Sequence, residues 1–224
     1  MEIVDRIQKG KIVPVIALER SEDAIALCQA LKAGGLTVAE ITFRTKAARE
    51  AIKFVAREFP EFTLGAGTVT TLIEVQAALD AGAGFAVAPG FNPRVVHAAQ
   101  ELGLPFFPGV ATPSDIEGAL ELGCEVLKFF PAGALGGVAM LKAIYAPFKH
   151  RGVRFIPTGG IELENMNEFL ATPGVIAVGG SWIVAKKWLD ARDWPSVTEA
   201  TRRAVERARE VPAMADALDQ RSRD

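Results

Sequence analysis

The sequence has few of the residues from which disulfides and metal sites are built. It contains two cysteines and two histidines among 224 residues. Cys28 and Cys124 stand in apolar segments and lack the paired spacing of a zinc site, so we interpret them as buried thiols in a reducing compartment. Two histidines are too few for a multi-histidine site. We therefore expect neither a disulfide nor a metal.

The chain also lacks an excess of one charge and any long apolar run. Its 25 Lys and Arg residues against 27 Asp and Glu residues give a net charge of −2, so nucleic-acid binding has no electrostatic support. Every apolar stretch is interrupted well before the roughly 20 residues of a membrane helix. Residues 1–10 carry Glu2 and Asp5 and lack the apolar core of a signal peptide. We expect a cytoplasmic protein that binds neither nucleic acid nor a membrane.

One pattern repeats along the chain. A short apolar run ends in Gly, Pro, Ser or Thr, and a helix-like stretch rich in Ala, Leu and Glu follows. Half of the residues are hydrophobic, which suffices for a large core. Alternating strand and helix units predict a parallel sheet, and eight units close a (β/α)8 barrel. The eight runs cover residues 12–18, 37–43, 62–67, 84–89, 105–110, 124–130, 153–159 and 174–180.

The fold expected from this pattern is a single TIM-barrel domain over residues 1–224. A doubly wound open sheet is the alternative, but it gives no reason for eight units, and no GxGxxG follows the first run. Residues 1–10 predict a short amphipathic helix that closes the bottom of the barrel. The stretch from Trp194 onward predicts a charged outer helix.

The second run places charges where a barrel interior is normally apolar. Glu40, Thr42 and Arg44 share one face by the two-residue alternation of a strand. Reactive residues of a barrel stand at the carboxyl ends of its strands, so we expect Glu40 and Arg44 to point inward near the mouth. The alternative is an internal Glu40–Arg44 ion pair without a role in chemistry, although buried charges are costly.

Lys128 is a second charged residue on an interior face, which it shares with Val126 and Phe130. An ammonium among such neighbours is poorly solvated, and this makes the neutral amine available. A neutral amine attacks a carbonyl carbon to form a Schiff base. The alternatives are a lysine that reaches solvent at the strand end, or one that pairs with Glu40.

Glycine-rich ends follow the last two runs. Barrels commonly bind a phosphate at the loops after strands seven and eight, where glycine lets the backbone approach the ligand. Tight turns without a ligand are the alternative. Weaker signals after the third and fourth runs are the hydroxyl of Thr68 and the apolar ring of Pro89. The two glycine-rich ends are Pro157-Thr158-Gly159-Gly160 and Gly179-Gly180-Ser181.

Five segments stand in the order found in one family. As a set, they resemble the bacterial 2-keto-3-deoxy-6-phosphogluconate (KDPG) aldolases, also described as 4-hydroxy-2-oxoglutarate (KHG) aldolases. The resemblance covers the chain from about Ile12 to Trp182. The segments are Ala39-Glu40-Ile41-Thr42-Phe43-Arg44-Thr45, Gly65-Ala66-Gly67-Thr68, Lys128-Phe129-Phe130-Pro131-Ala132, Pro157-Thr158-Gly159-Gly160-Ile161 and Gly179-Gly180-Ser181-Trp182.

The resemblance implies a class I, metal-independent aldolase that forms pyruvate, needs no cofactor, folds as a (β/α)8 barrel and assembles as a homotrimer. On matching positions, Lys128 is the Schiff-base lysine and Glu40 the general acid/base. The substrate-binding positions are Arg44, Thr68, Pro89, Phe130 and Thr158. The phosphate-binding positions are Gly159, Gly160, Gly179, Gly180 and Ser181.

The implied reaction cleaves KDPG to pyruvate and glyceraldehyde 3-phosphate, with KHG, cleaved to pyruvate and glyoxylate, as a further substrate. Two departures bear on the substrate, since many relatives carry Glu at the position of Gly133 and Ser at that of Ala88. An aldolase for the galacto epimer of KDPG is one alternative. A phosphate-binding barrel isomerase without imine chemistry is a second, and a catalytically silent ligand-binding barrel is a third.

Overall fold

The computed structural model of the chain describes residues 3–212. Within them, strands and helices alternate as the repeated pattern predicts. The strands are β1 (Ile12–Ile16), β2 (Val38–Thr42), β3 (Thr63–Gly67), β4 (Phe85–Val87), β5 (Phe106–Phe107), β6 (Gly109–Val110), β7 (Val126–Phe129), β8 (Arg154–Phe155) and β9 (Val178–Gly180). Each predicted run contains a strand, and the fifth contains two.

The helices follow the strands as expected, and both predicted terminal helices are present. The α-helices are α1 (Ile3–Gly10), α2 (Asp23–Ala33), α3 (Ala48–Glu58), α4 (Leu72–Asp80), α5 (Pro93–Glu101), α6 (Pro113–Glu121), α7 (Gly137–Tyr145), α8 (Met166–Leu170), α9 (Lys186–Ala191) and α10 (Trp194–Arg209). Two 3₁₀-helices span Ala146–Arg151 and Trp182–Val184.

Local sequence sets the starts of several helices. In α4, the hydroxyl of Thr71 accepts from the backbone N–H of Glu74, whose carboxylate accepts from the N–H of Thr71 in return. Thr112 and Asp115 form the same reciprocal pair at the start of α6. Such a capping box satisfies two backbone donors that a helix start otherwise leaves unpaired.

The hydrogen-bonded strands form two parallel sheets, and the prediction of one closed eight-stranded barrel is wrong. The larger sheet has six strands in the order β5-β4-β3-β2-β1-β9, and the smaller has three in the order β6-β7-β8. Two isolated bridges, Phe155 to Val175 and Thr158 to Gly179, join the segments beside β8 and β9. The result is a curled α/β fold in which the strands are divided between two separate hydrogen-bonded sheets.

The division between the two sheets falls at a proline. Pro108 separates β5, which pairs with β4, from β6, which pairs with β7. A proline has no N–H to donate, so Pro108 leaves one ladder hydrogen bond unmade at this point. Pro157 lacks the same donor between the two isolated bridges. A proline by itself does not divide a sheet, since Pro14 lies within the central strand β1 and pairs with Gly180.

Alternation along the strands separates two apolar clusters. The outer cluster combines strand residues such as Ile12, Ala39 and Leu127 with the buried faces of the helices. The second, which we call the inner cluster, holds their neighbours on the opposite strand face and is completed by Ile7 of α1. Its buried members are Ile7, Val13, Val38, Phe85, Val87, Phe107, Val126, Ile156, Ile176 and Ala177.

Two further expectations concern burial. Cys28 and Cys124 are both free and buried, as the sequence predicts for their side chains. No helix among residues 3–212 has both the length and the apolar character that a membrane crossing demands.

Candidate active site

Glu40 and Lys128 meet in the interior, one from each sheet. Glu40 lies on β2 of the six-stranded sheet and Lys128 on β7 of the three-stranded sheet. The Lys128 Nζ lies 3.2 Å from Glu40 Oε1 and 3.3 Å from Oε2, and donates to both. Both residues are buried, with 6% and 3% of the Lys128 and Glu40 surfaces exposed. The two inward orientations predicted from strand alternation are therefore confirmed.

A glycine makes room for this carboxylate. Gly67 is the last residue of β3, which pairs with β2. A Cβ added to Gly67 would lie 2.0 Å from Glu40 Oε1. Real Cβ atoms do not approach an oxygen so closely, so any side chain at position 67 displaces the carboxylate. Sequence reasoning placed Gly67 in a small-residue segment but gave it no role. The signal available was its place beside Thr68, at the carboxyl end of a strand.

Arg44 occupies a different position from the one predicted. It is exposed, and its Nε donates to the Thr42 hydroxyl at 3.1 Å. That hydroxyl donates in turn to the carbonyl of Ile16 at 2.9 Å. Since the partner of Glu40 is Lys128, the self-contained Glu40–Arg44 ion pair is not what forms. Arg44 instead lines a cavity of about 500 Å³ together with Ser181 and Trp182; we call this the mouth cavity.

The segment after Lys128 folds back toward the first glycine-rich loop. The Lys128 Nζ lies 5.5 Å from the ring centre of Phe130, which is half-buried. Ala132 donates its backbone N–H to the carbonyl of Thr158, and Gly133 donates to that of Gly159, each at 2.8 Å. A cis peptide joins Phe130 to Pro131. These contacts place the segment after Lys128 against residues 158–159, which follow β8, with the Phe130 ring beside Gly159.

The departure at position 133 has a packing counterpart. A Cβ at Gly133 would lie 3.1 Å from the Cα of Gly160 and 3.3 Å from the carbonyl oxygen of Gly159. Gly159 and Gly160 themselves have φ values of +92° and +73°, which glycine adopts without strain. The backbone at Gly133 thus packs directly against the backbone of Gly159 and Gly160.

The two glycines of β9 each lie against a neighbouring side chain that leaves no room for a Cβ. A Cβ at Gly179 would lie 2.2 Å from the Thr158 hydroxyl, and one at Gly180 would lie 1.8 Å from the ring of Trp182. Both glycines are buried, whereas Ser181 is exposed and lines the mouth cavity. Within this loop, Ser181 is the residue whose side chain is available to a ligand.

Thr68 and Pro89 follow the third and fourth runs. Thr68 is half-buried and has a φ of +59°, a left-handed conformation that is strained for a β-branched residue. Such strain is often retained where a side chain must be aimed at a ligand. Pro89 is exposed, and its carbonyl packs against Gly109, where a Cβ would lie 2.2 Å from the Pro89 oxygen.

The chemistry available at this centre is proton exchange beside a nucleophile. A buried amine and a carboxylate in hydrogen-bond contact can pass a proton between them, which leaves a neutral amine next to a protonated acid. Within residues 3–212, the structure contains no group of three His, Cys, Asp or Glu residues able to hold a metal ion.

Known proteins are similar to this chain over most of its length. The family model for KDPG and KHG aldolase matches residues 3–200. A 2-dehydro-3-deoxy-phosphogluconate aldolase of Haemophilus influenzae is 43% identical over 205 residues, which cover 92% of this chain and 96% of the relative. One from Treponema pallidum is 46% identical over 204 residues, 91% of this chain and 96% of the relative.

Solved structures agree. A KDPG aldolase from Legionella pneumophila, crystallised with pyruvate captured at low pH as a covalent carbinolamine intermediate, superposes with a TM-score of 0.87 at 39% identity. The match covers 91% of this chain and 98% of that one. With the family model spanning most of the chain, the resemblance drawn from the five segments is confirmed: this chain belongs to the KDPG and KHG aldolase family.

Proposed function

We propose that this protein is a class I aldolase that cleaves KDPG to pyruvate and glyceraldehyde 3-phosphate through an imine on Lys128. The observation that carries the proposal is the buried contact of 3.2 Å between Lys128 Nζ and Glu40 Oε1. It supplies a nucleophile and a proton-transfer group within one hydrogen bond. The family relationship supports the same reaction class.

The first half of the reaction forms the imine. The Lys128 ammonium passes a proton to Glu40 and attacks the C2 carbonyl carbon of the 2-oxo acid. The resulting carbinolamine loses its hydroxyl as water, with a proton returned by Glu40, to give the protonated imine. This cation withdraws electrons from the neighbouring C3–C4 bond.

The second half breaks the bond and releases the products. Glu40, directly or through one water, removes the proton of the C4 hydroxyl. The C3–C4 electron pair then moves into the imine, and the aldehyde leaves an enamine of pyruvate behind. Glu40 helps to return a proton to C3, and water hydrolyses the imine to release pyruvate and the free amine.

The remaining predicted positions hold the substrate at its two ends. Arg44 and Thr68 bind the carboxylate, while Pro89, Phe130 and Thr158 form walls around the reacting carbons. In the present structure Arg44 Nε donates to the buried Thr42 hydroxyl, which leaves the two terminal nitrogens of its guanidinium for the carboxylate. A phosphate binds at the backbone and hydroxyl groups of two loops: Gly159, Gly160, Gly179, Gly180 and Ser181.

KHG is a second proposed substrate, and the galacto epimer of KDPG is the alternative within the same class. The relatives named above as 2-dehydro-3-deoxy-phosphogluconate aldolases favour KDPG. Metal independence is part of the proposal, and activity that survives exhaustive EDTA treatment supports it. A loss of activity that a divalent ion restores would contradict it.

We also propose a homotrimer in the cytoplasm, by family resemblance. Light scattering at micromolar concentration tests the assembly, and a stable monomer would contradict it. The single-domain organisation over residues 1–224 belongs to the same proposal.

Borohydride trapping tests the proposed chemistry. Pyruvate with borohydride should inactivate the protein irreversibly and add the mass of the reduced adduct to the peptide that contains Lys128. A coupled assay for pyruvate should report cleavage of KDPG. An isomerase that uses Glu40 as base and Lys128 only for its charge would show no adduct. An adduct on Lys11 or Lys142 would show that the assignment of the nucleophile to Lys128 on β7 is wrong.

A further inference from the structure

The mouth cavity carries a cation to which the proposed function gives no role. Lys187, in the first turn of α9, lines this cavity together with Ser181 and Arg44. Lys187 follows Ser181 by six residues, after the 3₁₀-helix Trp182–Val184. We call Lys187 and its neighbour Lys186 the α9 lysines.

Two of the other cations that line the cavity already have carboxylate partners, while Arg44 donates to the Thr42 hydroxyl and is assigned to the substrate carboxylate. Lys186 Nζ donates to both oxygens of Asp190, at 2.8 and 2.7 Å, and this hydrogen bond raises the pKa of the Lys186 amine. Arg20 Nε lies 2.8 Å from Asp23. These charges are neutralised locally, and a new anion would have to compete with a carboxylate for either of them.

Lys187 differs from both. In the described part of the chain its recorded contact is with the ring of Trp188, whose centre lies 5.3 Å from Nζ. A ring face attracts a cation without consuming any of its three N–H donors. The aromatic contact therefore holds the side chain at the cavity while the ammonium keeps its hydrogen bonds for another acceptor.

The charge of the ligand makes such a donor necessary. A phosphate monoester carries about −1.5 to −2 charges near neutral pH. Four carboxylates line the mouth cavity, and two of them, Glu19 and Glu162, have no cation partner among the recorded ion pairs that lie within it, so a phosphate that enters meets negative charge. Ser181 offers a neutral hydroxyl, whereas an ammonium adds the attraction of a full positive charge to its hydrogen bond with the phosphate.

We propose that Lys187 binds the terminal phosphate of the substrate and so determines the preference for phosphorylated over unphosphorylated 2-oxo acids. This inference rests on the proposed aldolase function. Lys128 fixes C2 of the substrate in the interior, and Ser181 and Lys187 hold the distal end at the cavity. Lys187 touches no reacting atom, so its contribution is to binding.

The two α9 lysines provide a matched pair of variants. Lys187→Met and Lys186→Met each remove one positive charge from the same wall, so a general change of potential affects both alike. KM and kcat for KDPG and KHG are measured in the wild type and in both variants. Lys187→Met should raise KM for KDPG by roughly ten- to a hundredfold, the worth of one hydrogen bond to a charged group. Its kcat and its KM for KHG should stay within twofold, and Lys186→Met should resemble the wild type.

Three results would overturn the inference. Equal KM changes for KDPG in both variants would mean that only the overall charge matters. Equal changes for KDPG and KHG in Lys187→Met would place the defect in the loop structure. If the wild type forms the pyruvate adduct and cleaves KHG but not KDPG, the proposed phosphate contact is refuted while the proposed aldolase chemistry stands. A wild type without adduct and without cleavage would instead defeat the proposed function itself, and this inference with it.

Discussion

The interior of the curled sheets has two layers of opposite character. The lower layer is the inner cluster, apolar throughout and completed by α1. The upper layer, which consists of Glu40, Thr42, Lys128 and Thr158, is polar yet as well buried. Two strands, β2 and β7, and the segment after β8 change from apolar to polar within two residues on a single face. The pairs are Val38 and Glu40, Val126 and Lys128, and Ile156 and Thr158.

Residues at the lower end of these segments contribute to the stability of the fold, and residues at the upper end contribute to the proposed chemistry. The lower layer removes apolar surface from water, and this stabilises the fold. The upper layer holds two charges that are costly to bury and that are compensated by each other. The same strand thus contributes to both functions, and the position along it decides which. The predictions below test that division, in order of decreasing expected effect on cleavage.

Lys128→Met should abolish both cleavage and the borohydride-trapped pyruvate adduct, because the nucleophile is gone. It should also lower the free energy of unfolding by about 3–5 kcal/mol, since the buried Glu40 carboxylate is left unpaired. The double variant Lys128→Met/Glu40→Gln should recover most of that stability and none of the labelling. Denaturant titration and peptide mass spectrometry measure the two effects. Labelling of a Lys128→Met protein would refute the assignment.

Glu40→Gln keeps the shape of the side chain and removes the proton acceptor. Cleavage should fall by roughly 10²–10⁴-fold, the usual contribution of general acid–base catalysis. Slow formation of the pyruvate adduct should persist, because the amine remains. Single-turnover labelling beside the steady-state assay separates the two steps. Loss of both steps to the same extent would give Glu40 a role in imine formation alone.

Gly67→Ala tests the room that the upper layer requires. The added Cβ, 2.0 Å from Glu40 Oε1, must displace the carboxylate. A misplacement of about 1 Å costs on the order of 10²-fold in rate, so kcat should fall by about that factor. Gly90→Ala is the control, since a Cβ there meets nothing within 4 Å. Unchanged turnover in Gly67→Ala would show that the carboxylate position is not critical.

Phe85→Ala tests the lower layer. Phe85 is 1% exposed and its ring lies 5.5 Å from that of Phe107. Removal of the ring should cost about 3–5 kcal/mol of unfolding free energy, measured by denaturant titration. At a temperature where the variant stays folded, kcat should remain within a few-fold of the wild type. A collapse of kcat in fully folded protein would contradict the division into layers.

The smallest effect is expected at the two thiols. Burial raises the pKa of the Cys28 thiol to about 12 and that of Cys124 to about 11. At pH 8 a thiol with a pKa of 12 is a thiolate in about one molecule in ten thousand. Iodoacetamide should therefore leave the native protein unmodified and active, and label both residues in denaturant. Rapid labelling of the native protein would reveal opening of the helices that cover them.

Much of this architecture could be predicted from local patterns. The strand and helix units, the terminal helices and the inward faces of Glu40 and Lys128 follow from periodicity, which depends on neighbouring residues. Closure of the sheet depends on hydrogen bonds between distant strands, and the pairing changes partner at Pro108. Alternation within one run does not determine this, since Pro14 lies in β1 without dividing the sheet.

The site shows the same limit. The ion pair of Glu40 with Lys128 was one of several alternatives, because residues 88 positions apart share no sequence pattern that fixes their distance. Arg44 lies beyond the end of β2, where alternation no longer determines direction, and it is exposed. The steric demands on Gly67 and Gly180 come from side chains that only the folded chain brings near.

The space reserved at Gly67 also constrains how this gene can change. Every amino acid that a single-base change can substitute for glycine carries a Cβ, and at position 67 that atom falls on the Glu40 carboxylate. At Gly90 the same codon changes meet open space. A mutation at the Gly90 codon therefore meets no steric penalty from its first side-chain carbon, whereas one at the Gly67 codon is tolerated only if the Glu40 carboxylate moves or is replaced.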